Sequence, residues 1–258
     1  MWGKIIMPNR ILSIFEVSDL QNADNIIWDL DCYKEFCDLE IMNNRLFNVL
    51  EKISYKAVMG IAVLLTELIQ QRSKKFFPNI DIAEEFASKV ESLWAGAVDP
   101  LYLETGEYDW EYYDENGDST TYMSNWFVLK QMLRKYVKSS FYIHRYLINL
   151  SMLARYLMPN KKLFDDWFAE TLRKTAEVFP CTYNYNDLVY DKDARYDCSV
   201  DAPVPREFFF DPEFEYSEDA AKSVLNVFLQ SLDYKKNPWL RSPKKMKKMG
   251  FKGTPYEV

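Results

Sequence analysis

Apolar residues recur at intervals of three and four along most of this chain, a spacing that predicts helices rather than strands. Residues 34–51 and 55–73 each read as a helix. The second is apolar nearly all round, with Val58, Met59, Ile61, Ala62, Val63, Leu64, Leu65, Leu68 and Ile69, and a helix without a polar face belongs at the centre of a core. Residues 81–98 open on Asp81 and Glu84 after Pro78, a capping-box-like start. Their apolar stripe is Ile82, Phe86, Val90, Leu93, Trp94 and Ala97.

A second helical group follows. Ser124 is placed to cap a helix through Val137, with Phe127, Leu129, Met132, Leu133 and Tyr136 as core contacts. A further helix spans about 141–158 and ends at Pro159. Asn160 caps the next, which runs to Phe179 with Phe164, Trp167, Phe168, Leu172 and Ala176 inward, and Pro180 stops it. Ser217 begins a last helix to about Leu232, and Pro238, Pro243 and Pro255 act as breakers in the tail. Near the N-terminus, Ile11–Val17 fits either a short strand or a helical turn.

These elements predict an all-α protein of about seven main helices in a single domain over residues 1–258, with a helical core over about 34–232 and a tail at 235–258. The groups 34–98 and 121–179 each look like three helices, without a sequence repeat between them. Residues 181–216 carry nine tyrosines and phenylalanines among Asp, Asn and Pro, without periodicity. So many rings in one loop call for packing on the helices.

Composition agrees with a folded helical chain. Hydrophobic residues make up 48% and aromatics 16%, well away from disorder. Glycine occurs only seven times, which argues against strand bulges, phosphate-cradling loops and therefore Rossmann or P-loop chemistry. The longest apolar run, Ala57–Ile69, passes Thr66 and Glu67, and its roughly 13 residues fall short of the roughly 20 that a bilayer requires. The opening MWGKIIMPNRILSIFEV lacks the pattern of a secretory leader. Four cysteines (Cys32, Cys37, Cys181, Cys198) are few for a disulfide scaffold of this size. The expected location is the cytoplasm, with thiols reduced.

Charge changes the picture. Residues 99–118 hold eight acids, no base and five aromatics, residues 181–219 hold eleven acids against three bases, and residues 235–252 hold eight bases and no acid. The net charge of −7 thus comprises −8, −8 and +8 from these stretches and +1 from everything else. A nearly neutral helical scaffold carries two acidic, aromatic-rich loops, with the opposing charge gathered in the tail. With a pI near 5.0, the molecule as a whole repels nucleic acid and anionic membranes at long range. No membrane partner is expected, and no nucleic acid except through the tail 235–252.

Candidate chemistry is sparse. The single histidine, His144, sits in FYIHRY among aromatic and aliphatic neighbours, as a structural or surface residue would. No nucleophile-elbow motif accompanies it, and one histidine cannot supply a di-iron bundle. Four residues separate Cys32 from Cys37 and sixteen separate Cys181 from Cys198, unlike paired zinc hooks. Asp165 and Asp166 suggest a magnesium-binding aspartate-rich helix, but Phe168 and Ala169 stand where a further acid is needed. The plainer reading is a solvated face with Glu170 and Lys174 as an i,i+4 pair. Asp114–Asp118 begins like an EF-hand loop but has Ser119 at the sixth position and Asn125 at the twelfth. In the tail, Lys244–Lys248 with Trp239 and Phe251 offers charge and rings, and Gly250–Gly253 matches the GXXG of KH domains without the surrounding sheet-containing fold. A tail folded back on the chain's own acidic loops is the favoured expectation. No cofactor and no metal are expected.

The best candidate site is therefore the first acidic loop, with Tyr108, Asp109, Trp110, Glu111, Tyr112, Tyr113, Asp114 and Glu115 as partner-binding residues. Tyrosine and tryptophan anchor interfaces at low entropic cost, and clustered carboxylates speed encounter with a basic partner. The stretch AVLLTELIQQR (62–72), followed by FASKVESLWAGAVDPLYLE (86–104), is similar to helical immunity proteins of bacterial polymorphic-toxin systems, in which a tryptophan-bearing helix runs into an acidic loop. That resemblance implies a non-catalytic inhibitor that occludes a cognate basic toxin, often a nuclease, through its acidic loops. Two other readings stand beside it: an adaptor or scaffold using the same surface, and a helical metal-dependent enzyme using Asp165 and Asp166.

Overall fold

A computed structural model of the chain describes residues 43–73, 80–104, 132, 133, 135, 136, 143–182 and 200–258. The possible strand at Ile11–Val17, the first half of the helix expected at 34–51, the cap at Ser124 and most of 181–199 lie outside the described residues. Helix makes up 68% of the described residues. Strand-like pairing among them is confined to two isolated antiparallel bridges, Ile53 with Pro180 and Leu103 with Leu240. The protein is all-α.

Helix α1 is Asn44–Leu50, opened by the Asn43 side chain, which accepts from the Leu46 N–H at 3.0 Å. Helix α2 is Tyr55–Ser73 and α3 is Ile80–Val98. Helix α3 begins one residue before Asp81. Met132, Leu133, Lys135 and Tyr136 are helical, as expected there. Helix α4 is Ile143–Leu157. Helix α5 is Lys161–Val178, capped by Asn160, whose side chain accepts from Leu163 N–H at 3.0 Å.

Helix α2, apolar nearly all round, takes the central place. From Ala57 to Ile69, the apolar side chains of α2 are at most 2% exposed, and α2 packs against both α3 and α4 while α1 packs on α4 and α5. Each Val, Leu, Ile or Met side chain so removed from water contributes roughly 1.5–3 kcal/mol. The two helical groups are not separate bundles. Phe86, Trp94, Leu147, Leu157, Phe164 and Phe179 share one core with α2. His144 is fully buried there, with the Phe47 ring edge-on at 5.6 Å. No described helix is long and apolar enough to cross a membrane.

The described part of the aromatic loop, 200–216, wraps the helices as its composition demanded. Phe179 is clasped by Phe208 and Tyr216, at 4.9 and 4.7 Å between ring centroids. This stretch is not wholly irregular, since Glu207–Phe210 forms a one-turn helix, α6. Gly60 on α2 lets it approach closely: a Cβ there would lie 3.1 Å from Phe209. Helix α7, Glu218–Ser231, follows its Ser217 cap.

The tail differs from expectation at Pro243. Proline at the first turn costs no hydrogen bond and presets φ, so Pro243 starts a helix instead of breaking one. Helix α8 is Pro243–Lys248, capped by Ser242. It sits on a second, smaller cluster of Tyr102, Leu229, Leu240, Met246 and Tyr256.

Candidate functional site

The acidic stretch leaves the end of α3 through a built root. The Asp99 side chain accepts from the Leu101 N–H at 2.7 Å and caps a 3-10 turn, Pro100–Tyr102. Burial pushes the Asp99 carboxyl above the usual range, against the opposing pull of that N–H and of the Lys56 and Arg241 charges. Leu103 then pairs with Leu240, and the Glu104 N–H donates to the Trp239 carbonyl at 2.9 Å. Arg241 closes the other side: its N–H donates to the Tyr102 carbonyl at 2.8 Å and its guanidinium to the Leu101 carbonyl at 3.0 Å. Gly96 is required here, because a Cβ would stand 2.6 Å from the Leu103 side chain.

Tyr102 is the hub of the root. It is 1% exposed and meets Phe251 and Tyr256 edge-on at 5.4 and 5.2 Å. Its hydroxyl accepts the Tyr256 N–H at 3.1 Å, and the Tyr256 hydroxyl donates to the Arg241 carbonyl at 2.7 Å. Burial pushes the Tyr102 hydroxyl up to about 12.

Farther along the chain, Tyr136 is held at the same end of α3. The Tyr136 hydroxyl donates to the Ala97 carbonyl at 3.2 Å, and the Tyr136 ring stacks on Tyr55 at 5.2 Å. The Tyr55 hydroxyl in turn donates to the Lys135 carbonyl at 3.1 Å. The chain between Glu104 and Lys135 therefore departs from and returns to one helix end. That end carries no basic residue in its last turn, and the cationic charge beside it comes instead from Lys56 and Arg241.

Tyr108, Asp109, Trp110, Glu111, Tyr112, Tyr113, Asp114 and Glu115 lie outside the described residues, as does the EF-hand-like stretch. The one acid of the stretch past the root that is described, Glu104, receives Lys245 of α8 at 2.8 Å. The basic tail thus folds back on the start of the first acidic loop, as favoured on charge. Gly250 and Gly253 take positive φ of 91° and 82°. They follow α8 into turns rather than joining two helices, which removes the likeness to a KH loop. Nor are the tail's rings free for stacking: Phe251 lies against Tyr102, and Trp239 is half-buried beneath the Lys89 ammonium at 4.6 Å.

The carboxylates that an enzyme would use stand on the solvated face of α5. Asp165 accepts from Arg155 at 2.7 and 3.0 Å, and Asp166 accepts from Lys162 at 2.7 Å. Their side chains are 48% and 64% exposed. Glu170 pairs with Arg173 at 2.7 Å and, more loosely, with Lys174 at 3.8 Å. Among the described residues, no group of three or more His, Cys, Asp or Glu side chains could hold a metal ion.

Sequence reasoning missed one polar constellation. Glu67, in the middle of apolar α2, forms an ion pair with Arg206 from the wrapping segment and accepts the Trp94 indole N–H at 3.1 Å. The Arg206 guanidinium lies over the Phe210 ring at 4.0 Å. A buried carboxylate must find a partner, so Glu67 within an otherwise apolar run was the available signal.

No family model matches the chain, and no curated protein and no solved structure matches it.

Proposed function

We propose that this chain is a non-catalytic protein-binding protein, an immunity protein acting in the bacterial cytoplasm that inhibits a basic toxin by occluding it with its acidic aromatic loops, above all the one at 99–118. The observation that carries this reading is the anchoring of the start of the acidic stretch at the C-terminal end of α3, through Tyr102 and Leu103, with the chain held again at that helix end by Tyr136. A fixed root lowers the ordering cost of binding. Eight acids without a base between 99 and 118 select a cationic partner, and Trp110 with Tyr108, Tyr112 and Tyr113 supplies the anchoring area.

The test is capture from native lysate by the full chain and by its Glu111→Lys/Asp114→Lys/Glu115→Lys variant, at low and high salt, followed by expression of the captured protein with and without this chain. The expected result is one basic protein, recovered one-to-one by the wild type and lost with the variant, that arrests growth unless this chain is co-expressed. A captured partner that is harmless alone would favour the adaptor reading and overturn inhibition. Capture that is equal for wild type and variant would overturn the loop as the contact surface.

A further inference from the structure

The positive charge of the tail is displayed on a fixed element. Met246 is fully buried in the second cluster, which sets the rotation of α8. At about 100° per residue, Lys244 and Lys248 then lie about 160° from Met246, so both point directly away from the protein. Both are exposed, as are Lys247 and Lys252. Lys245 is engaged by Glu104 at 2.8 Å, which also neutralises the nearest acid of the loop root. At the C-terminal end of α8, Met249 is 54% exposed, one of the few large apolar side chains so placed among the described residues.

We propose that this face of α8, centred on Lys244 and Lys248, together with Met249 and Lys252 just past the helix end, docks on the anionic phospholipid headgroups of a bilayer. Clustered lysines attract an anionic lipid surface one by one, and an apolar side chain among them enters the boundary between headgroups and acyl chains. The overall charge of −7 does not prevent this. The acid that meets α8, Glu104, is paired with Lys245, and a screening length of about 8 Å at physiological salt limits the reach of any acid farther off. A nucleic-acid phosphate backbone fits less well. It has no use for an exposed methionine, and the tail's two rings and Arg241 are occupied within the fold.

The test is flotation of the full chain with phosphatidylcholine vesicles, with and without phosphatidylserine, alongside binding to a fluorescent DNA duplex. The wild type should float only with the anionic vesicles, and high salt should release it. At roughly fivefold per lysine, Lys244→Glu/Lys248→Glu should lose at least about 25-fold in vesicle affinity, and Met249→Ser should weaken vesicle binding without changing any DNA binding. All three side chains are exposed, so the variants should keep the helical circular dichroism of the wild type. Absence of flotation by the wild type, equal flotation by the double-lysine variant, or tight DNA binding in place of vesicle binding would overturn the proposal.

Discussion

The backbone N–H of Tyr256 donates to the hydroxyl of Tyr102 at 3.1 Å across 154 positions of sequence, with the two rings edge to face at 5.2 Å. Through this pair the tail becomes part of the root from which the acidic loop emerges. Tyr256 holds a left-handed φ of 68° to reach it, a conformation that costs a non-glycine residue free energy and that surrounding contacts must offset.

Alkaline stability reports on this pair. Burial raises the Tyr102 hydroxyl from 10.0 to about 12, and the Tyr256 hydroxyl is raised in the same direction, also mainly by burial. The fold therefore favours the neutral phenols. Their contribution is whole below pH 10, where the unfolded chain is also protonated, and is lost as pH rises through about 12. Urea unfolding followed across that window should show stability falling steeply. Tyr102→Phe should lower stability at neutral pH by about 1 kcal/mol through the lost hydrogen bond and make the alkaline fall shallower. An unchanged alkaline slope would mean that Tyr102 is not the group responsible.

Gly96 reports on the other half of the root. Gly96→Ala drives a methyl into the buried Leu103 side chain, and overpacking of this kind costs about 1–3 kcal/mol. The companion Leu103→Ala should recover part of that loss in the double variant, because it removes the atoms in the way. Additive losses measured by thermal unfolding would argue that the two sites are not in contact.

The Glu67–Arg206 pair should behave as a buried ion pair, since its side chains are only 11% and 16% exposed. Arg206→Met leaves Glu67 with the Trp94 indole as its remaining partner and should cost about 3 kcal/mol. Adding Glu67→Gln removes the stranded charge while keeping an acceptor for Trp94, and should restore most of the loss. Denaturant midpoints of the two variants decide this.

Asp201 reaches from the wrapping segment to the first turn of α2, where its side chain accepts the Lys56 N–H at 2.9 Å. A cap supplied across 145 positions of chain ties loop and helix into one cooperative unit. Asp201→Ala should cost about 1 kcal/mol, and amide exchange at the start of α2 should accelerate.

What was legible in the sequence follows physical reach. Tyr55–Ser73 was readable almost to the residue from its apolar run, and Lys161–Val178 from its period, the Asn160 cap and the flanking Pro159 and Pro180, all local signals. The Pro243 start of α8 was local too, but proline within a lysine-rich tail is ambiguous between a breaker and a first-turn residue until Met246 is seen to be buried. The clamp at the root was not legible, because Leu103 with Leu240 and Tyr102 with Tyr256 are pairings over long separations that carry no periodic mark. Charge alone pointed correctly to the folding back of the tail, now seen in Lys245 and Glu104. The pairing of Glu67 with Arg206 needed the tertiary fold.

The account turns on whether the acidic loop makes the encounter with a cationic partner. The most direct measurement is the association rate of the captured basic protein with the full chain and with its Glu111→Lys/Asp114→Lys/Glu115→Lys variant, as a function of salt. Electrostatic steering raises association rates by about 10-fold or more and is lost as salt increases. The predicted result is slower association by the variant, with a flatter salt dependence and little change at high salt. Equal association rates for the two proteins at every salt concentration would contradict the account.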